Sequence, residues 1–204
     1  NVASAITNAP TKTKFMIVSN PDRHLICFGT ETTIGTTSTQ DPMFIRWSDQ
    51  DDFNSWTATA TNSAGSQRVT GGSKIVTAVS TRGQILFLTD TSAHGMSFIG
   101  APFTFGFQKL GTNCGAVSPH CAVDISGIIY WMSSDGFYMF DGTVRKMPCS
   151  VEDFVFDNID TTQLEQVYAG SNSAFGEVIW FYCSTASNQI DRYVIYNYQE
   201  KLWY

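Results

Sequence analysis

The segment Ile128-Ile-Tyr-Trp-Met-Ser-Ser-Asp-Gly-Phe-Tyr-Met-Phe-Asp-Gly-Thr-Val-Arg-Lys-Met147 decides the fold class. Its apolar runs are rich in β-branched and aromatic residues, which fit the pleated, half-buried surface of a sheet. Asp135-Gly136 and Asp141-Gly142 separate these runs. Glycine supplies the positive φ of a tight hairpin turn, so each pair predicts a two-residue hairpin.

Similar short runs recur on both sides of this segment, and they predict an all-β protein. Outside it, strands are predicted at Phe15–Val18, His24–Gly29, Met43–Ser48, Ile75–Ser80, Ile85–Thr89, Met96–Ile99, Ala122–Ile125, Val178–Cys183 and Tyr193–Tyr198.

Helical spacing of apolar residues occurs in two places. A hydroxyl cap at Ser150 with Asp153 three residues later predicts a short helix, and Thr162–Val167 predicts a second helical turn. Both are expected to connect sheets.

The predicted strands are grouped in units of similar length. Aromatic strand centres at Trp47, Phe87, Trp131 and Trp180 are 40, 44 and 49 residues apart. Units of this length with several short strands are typical of β-propeller blades, although an antiparallel sandwich also has regularly spaced strands. The pattern favours one propeller-like domain over residues 1–204, or a portion of a larger propeller. The missing initiator Met and the apolar ending predict a fragment of a longer chain.

Composition excludes several classes of protein. The 204 residues are 43% hydrophobic and 15% charged, which is typical of a folded domain and not of a disordered chain. The net charge is −6 with only 12 Lys+Arg, and no basic run suggests a surface that grips nucleic-acid phosphates. No apolar run approaches the ~20 residues of a membrane span. The odd number of cysteines, five, fits a reducing compartment and buried thiols.

Motifs for catalysis and metal binding are weak. Cys114, His120 and Cys121 are the main Cys/His cluster, but zinc sites usually need a second pair of ligands. The acidic segment 49–52 lacks the glycine that forms the sharp turn of a calcium-binding loop. No nucleophile elbow, phosphate loop or dinucleotide fingerprint occurs. The sequence therefore predicts no enzyme, no cofactor and no metal.

Three phenylalanines form a candidate interaction surface. Phe103, Phe105 and Phe107 alternate along a predicted edge strand after the loop Gly100-Ala101-Pro102, so all three rings are expected on one face. The core is the favoured location for such rings. If they are exposed, they are expected to form a subunit contact, because large apolar patches in water mark interaction sites.

Six strings in order along the chain resemble one family. They are Asn8–Lys12, Phe44–Gln50, Phe53–Trp56, Gly100–Gln108, Tyr130–Gly142 and Asp191–Tyr198. Together they resemble the tail nozzle, or tail tubular B, proteins of short-tailed bacteriophages, and the resemblance covers nearly the whole chain. Its most distinctive string is Arg-Trp-Ser-Asp with a second Trp shortly after. The sequence departs from the family at Phe53–Trp56, where relatives often carry an Asp-Pro-Thr-Asp-Trp type of loop.

This resemblance implies a structural virion protein without enzymatic activity. It implies a β-propeller subunit of a six-fold ring below the portal and the tail adaptor protein, assembled in the host cytoplasm. The ring would continue the DNA-ejection channel, which genome DNA crosses without specific binding, and would offer an outer face to tail fibres or spikes. An acidic wall would repel DNA weakly. Asp49, Asp51, Asp52 and Glu31 are candidates for this lumen, although ordinary solvated acids are the favoured interpretation.

Two other functions remain open. The first is a receptor- or glycan-binding propeller, whose aromatic residues would surround one pocket at the propeller mouth, with Trp56, Trp203 and Tyr204 as candidates. The second is a sugar hydrolase, which needs two carboxyl groups roughly 5 to 9.5 Å apart in a cleft. The spacing of the acids does not predict such a pair.

Overall fold

The fold consists of sixteen strands in four antiparallel sheets, as shown by a computed structural model that describes residues 5–20 and 22–204. Sheet 1 contains β1 (Phe15–Val18), β2 (Leu25–Phe28), β3 (Phe44–Trp47) and β4 (Gly65–Arg68). Sheet 2 contains β5 (Ile75–Ser80), β6 (Ile85–Thr89), β7 (Ser92–Gly100) and β8 (Thr104–Thr112). Sheet 3 contains β9 (Ala122–Ile125), β10 (Ile128–Ser133), β11 (Gly136–Phe140) and β12 (Val144–Lys146). Sheet 4 contains β13 (Tyr168–Asn172), β14 (Glu177–Tyr182), β15 (Arg192–Asn197) and β16 (Leu202–Trp203).

Each sheet is a meander in which every strand pairs with the next strand of the chain. Repeated four-stranded meanders are the building unit of a β-propeller. The predicted all-β, propeller-like architecture is therefore confirmed.

Successive sheets pack face to face, and β6 shows how one strand serves two interfaces. All of its residues are buried. Ile85 and Phe87 belong to the core cluster between sheets 1 and 2, whereas Leu86 and Leu88 belong to the cluster that joins sheets 2, 3 and 4. Because side chains alternate across a strand, a continuous apolar run supplies both cores.

Three of the four aromatic centres occupy equivalent positions. Phe87, Trp131 and Trp180 lie in the second strand of sheets 2, 3 and 4, and each faces the preceding sheet. The Phe87 ring lies 6.0 Å from Phe28, and the Trp180 ring lies 4.8 Å from Phe137. The Trp131 Nε1 donates a 2.9 Å hydrogen bond to the carbonyl of Cys114, just beyond sheet 2.

Trp47 does not occupy the position that Phe87, Trp131 and Trp180 share, so its predicted equivalence to them is wrong. It lies in the third strand of sheet 1 and faces the following sheet, with its ring 5.3 Å from Phe105. Long connections lie between β2 and β3 and between β3 and β4, so the first unit is longer than the others. The 40-residue spacing is thus not a true repeat length.

The two predicted hairpins exist, but their turns differ from the prediction. Ser133 pairs with Gly136, so the first loop is Ser134-Asp135 and Gly136 begins β11, with φ at 150°. Phe140 pairs with Val144, so the second loop has three residues, 141–143.

Two short helical segments connect sheets 3 and 4, as expected. Helix α1 spans Glu152–Asn158, and a 3-10 segment spans Thr161–Gln166. The predicted cap at Ser150 is wrong, because Val151 precedes the helix and provides no side-chain cap bond. No helix within residues 5–20 and 22–204 has the length and apolar character needed to cross a bilayer.

Candidate functional site

A cavity of about 430 Å³ lies where segments from all four sheets meet. Lys14 and Phe15 come from the start of sheet 1, Lys74 precedes β5, His120 precedes β9, and Glu165 precedes β13. The backbone N–H of Ala169 donates to the His120 carbonyl at 2.7 Å, which joins the entries of sheets 3 and 4. The sheets therefore converge at their first strands.

An ion pair crosses this cavity. The Lys74 Nζ lies 2.8 Å from a Glu165 carboxylate oxygen, and this hydrogen bond and the Lys74 charge lower the pKa of Glu165, with a smaller contribution from Lys14. Glu165 is the one carboxylate among the lining residues. A pair of carboxyl groups, as glycoside hydrolysis requires, is not assembled here.

A second cavity, the tyrosine cleft, lies between sheets 3 and 4 and has a volume of about 520 Å³. Tyr130 comes from β10, and Tyr196 and Tyr198 come from the end of β15 and the residue after it. The Tyr130 ring centroid is 6.0 Å from that of Tyr196 and 6.5 Å from that of Tyr198. Burial raises the pKa of Tyr130 and of Tyr196, and the neighbouring tyrosines add to the shift of Tyr130.

Apolar and charged residues complete the tyrosine cleft. Its other lining residues are Ile128, Met139, Asp141, Arg145, Lys146, Met147, Pro148 and Lys201. Arg145 forms an ion pair with Asp141, and Lys146 with Glu152 at 2.9 Å. Within the ranges that the structure describes, Lys201 forms no ion pair. Sequence reasoning missed this site because its three tyrosines come from two sheets, and no local spacing reveals their convergence.

The acidic loop between β3 and β4 does not line either cavity. Asp49 accepts hydrogen bonds from the Ser63 N–H at 2.8 Å and the Ser63 hydroxyl at 2.6 Å. Burial by itself would raise the pKa of Asp49, but these bonds outweigh it and lower the pKa. Asp51 forms a 2.8 Å ion pair with Arg23, and Asp52 is exposed. That these acids face a ring's channel stays a prediction.

Glu31 does not lie on the surface, so its predicted place among the exposed acids of a lumen is wrong. The residue is fully buried. Its carboxylate accepts hydrogen bonds from the Thr11 hydroxyl and from the Gly35 N–H at 2.8 Å, and thereby fixes the loop between β2 and β3.

The three phenylalanines do not share one face. Phe105 is buried against Trp47 and His24, and Phe107 is partly buried with its ring 6.0 Å from Trp47, so both belong to the core between sheets 1 and 2. Phe103 is 72% exposed. It precedes β8, and Thr104 has a φ of 62°, which breaks the alternation that an extended strand would have. As interface residues, Phe105 and Phe107 are therefore excluded, and Phe103 remains available.

The aromatic residues considered for glycan binding are not brought together around a pocket. Trp56 is buried and donates to the Phe53 carbonyl at 2.7 Å. The Trp203 ring lies 4.6 Å from that of Phe137, in an aromatic cluster between sheets 3 and 4. Tyr204 is exposed. None of the three lines the tyrosine cleft.

The cysteines are all free thiols, and four of them are buried. Burial raises the pKa of Cys27 to about 11 and also raises the pKa values of Cys114 and Cys121. Across the described part of the chain, no group of three His, Cys, Asp or Glu side chains could hold a metal ion.

Exposed apolar residues lie on the outer faces of sheets 1 and 4, although the outer face of sheet 1 also carries the buried Arg46. On sheet 1, Met16 and Val18 are 47% and 59% exposed. On sheet 4, Tyr168, Phe181 and Tyr193 form one cross-strand row, and Tyr168 and Tyr193 are 51% and 63% exposed. Neither face packs into a core cluster, whereas the opposite face of each sheet does.

Comparison with known protein families and with curated proteins found no match to this chain.

Proposed function

We propose that this chain is a structural subunit of a bacteriophage tail, of the nozzle or tail tubular type. The resemblance of the six strings supports this, together with the propeller-like fold. The observation that carries the proposal is the presence of exposed apolar residues on both end faces of the series of sheets, Met16 and Val18 on sheet 1 and Tyr168 and Tyr193 on sheet 4. In this role the protein works by assembly and not by turnover.

Ring closure would join these two faces. Sheets 1 to 4 already stack face to face in series, so the face of sheet 4 in one copy is suited to receive the face of sheet 1 in the next. Such a contact between different surfaces is heterologous, and it closes into a ring when the rotation per subunit divides a full turn. An obligate interface of this kind buries about 2,000 Å² or more.

The ring would stand in the virion below the portal and the adaptor, would carry fibres or spikes on its outside, and would let genome DNA pass without specific binding. Its channel would lie between subunits. In this arrangement the acidic loop of Asp49, Asp51 and Asp52 supplies negative charge, which disfavours adhesion of DNA phosphates.

Native mass spectrometry and negative-stain imaging of the purified protein test the proposal. We expect a closed oligomer, with six subunits as the expected number. Tyr193→Asp and Val18→Asp should each dissociate it, because a charge in a desolvated interface is costly. Phe154→Asp is the matched control, since Phe154 on α1 is also 63% exposed but lies on neither face. A strictly monomeric wild-type protein at high concentration would overturn the proposal.

A further inference from the structure

The tyrosine cleft contains a phenol hydroxyl that bonds to no other residue of the described chain. Tyr130 as a whole is only 5% exposed, but its oxygen is not one of the fully buried polar atoms that lack a partner. Because Tyr130 lines the cleft, its hydroxyl is available to a molecule that enters it.

The shape and the lining of the cleft fit a small ring-shaped ligand. Its volume of about 520 Å³ is within the range of ligand pockets, which are typically about 300–1,000 Å³, apolar, and equipped with a few polar groups. The Tyr130 and Tyr198 rings are within 25° of parallel. Together with Met139 they offer flat apolar surface beside phenolic hydroxyls. A saccharide has the complementary chemistry, with C–H faces and a rim of hydroxyls.

The charges of the rim decide which saccharide is favoured. Arg145, Lys146 and Lys201 outnumber the one lining acid, Asp141. A quaternary ammonium, the other frequent ligand of aromatic cages, would be repelled. Arg145 and Lys146 are already paired, so Lys201 is available for an anion. Its backbone N–H donates to the Asn197 carbonyl at 2.8 Å, which holds it beside Tyr198.

The neighbouring cleft shows that these features are not general to the fold. Between sheets 2 and 3, the corresponding cavity is lined mainly by residues 81–84, 126–128 and 140–142, and it contains no tyrosine. The aromatic lining is therefore particular to the junction of sheets 3 and 4.

From these observations we infer that the tyrosine cleft binds a saccharide that carries a carboxylate, with the sugar ring against Tyr130 and Tyr198 and the carboxylate on Lys201. The site lies on the inward side of sheet 4, opposite the Tyr193 face, so the inference does not depend on ring assembly.

Saturation-transfer NMR and calorimetry with the whole chain test this site, using methyl β-D-glucuronide and its neutral counterpart methyl β-D-glucoside as probes. We expect both to bind, and the glucuronide to bind more tightly. Tyr130→Phe removes only the hydroxyl and should weaken binding of both by about 3- to 10-fold, the usual effect of one lost hydrogen bond. Lys201→Met should reduce the affinity for the glucuronide to that for the glucoside.

Two control variants distinguish binding in the tyrosine cleft from non-specific binding elsewhere on the protein. Tyr193→Phe removes an exposed hydroxyl on the other face of sheet 4, and Lys12→Met removes an exposed cation far along the chain. Neither should change binding. The inference is overturned if neither probe binds at millimolar concentration, or if Tyr130→Phe and Lys201→Met, folded by circular dichroism, bind as the wild type does.

Discussion

At the scale of single residues, Gly115 illustrates how closely the segments between sheets are packed. A Cβ at this position would overlap the backbone of Asp90 and Thr91. Backbone atoms cannot rotate away as a side chain can, so relief requires a shift of the connection between β6 and β7. The Cys114 N–H donates to the Thr91 carbonyl at 3.1 Å and would be drawn into that shift.

Gly115→Ala is therefore expected to destabilise the fold by about 1–3 kcal/mol or more, as overpacking does. Thermal and urea unfolding measure the effect. Gly170→Ala is the control, because no atom lies within 4 Å of its added Cβ, and it should leave stability nearly unchanged. Equal losses for the two variants would contradict this account.

Some residue-level features can be predicted from sequence and others cannot. The burial of Phe87, Trp131 and Trp180 follows from apolar runs around them. The exposure of Phe103 does not, because no local sequence pattern indicates the positive φ of Thr104. The tyrosine cleft likewise cannot be predicted from sequence, because Tyr130 and Tyr198 come together only when sheets 3 and 4 pack.

At the scale of elements, β6 is the strand on which two interfaces depend. Its alternate side chains contribute to separate core clusters. Substitutions at adjacent positions should therefore weaken packing against different neighbouring sheets. Truncation of a large buried side chain typically costs about 2–5 kcal/mol.

Phe87→Ala should increase amide exchange in sheet 1, and Leu88→Ala should increase it in sheet 3. Hydrogen exchange measured by mass spectrometry distinguishes these two outcomes, because exchange increases in the segments whose packing contacts the substitution removes. Both variants remove a fully buried side chain from the same strand, so each serves as the other's control. Identical exchange maps would show that the two clusters behave as one unit.

Strands with a clear apolar pattern were predicted well, and polar or very short strands poorly. β1, β5, β6 and β9 have the predicted bounds. β4, Gly65-Ser-Gln-Arg68, was missed because it is polar and mostly exposed. It is held in the sheet by backbone pairing with β3, so its side chains need carry no apolar pattern. β16, Leu202–Trp203, was missed because two residues are too few to show the alternation of a strand.

At the scale of the whole molecule, the two core clusters differ in extent. The larger joins sheets 2, 3 and 4, whereas the smaller joins sheet 1 to sheet 2 alone. Sheets 1 and 4 are both end units held on one face, but sheet 1 depends on the smaller cluster alone and is therefore expected to open before sheets 3 and 4.

Thiol labelling in sub-denaturing urea measures this order. Cys27 lies in sheet 1, and Cys121 belongs to the larger cluster. Both are buried with raised pKa values, and the thiolate is the reactive form, so the native thiols should react only after opening. Cys27 should be modified at lower urea than Cys121. Labelling of both at one urea concentration would mean that the chain opens as a single unit.

The meander order of the strands also bears on synthesis in the cell. Each sheet is complete before the next begins, so the growing polypeptide can pair every strand of one sheet while later ones are still inside the ribosome. Chains that emerge at about 5–20 residues per second would expose few unpaired edges at any moment. The layout thus limits association of incomplete chains through unpaired strand edges.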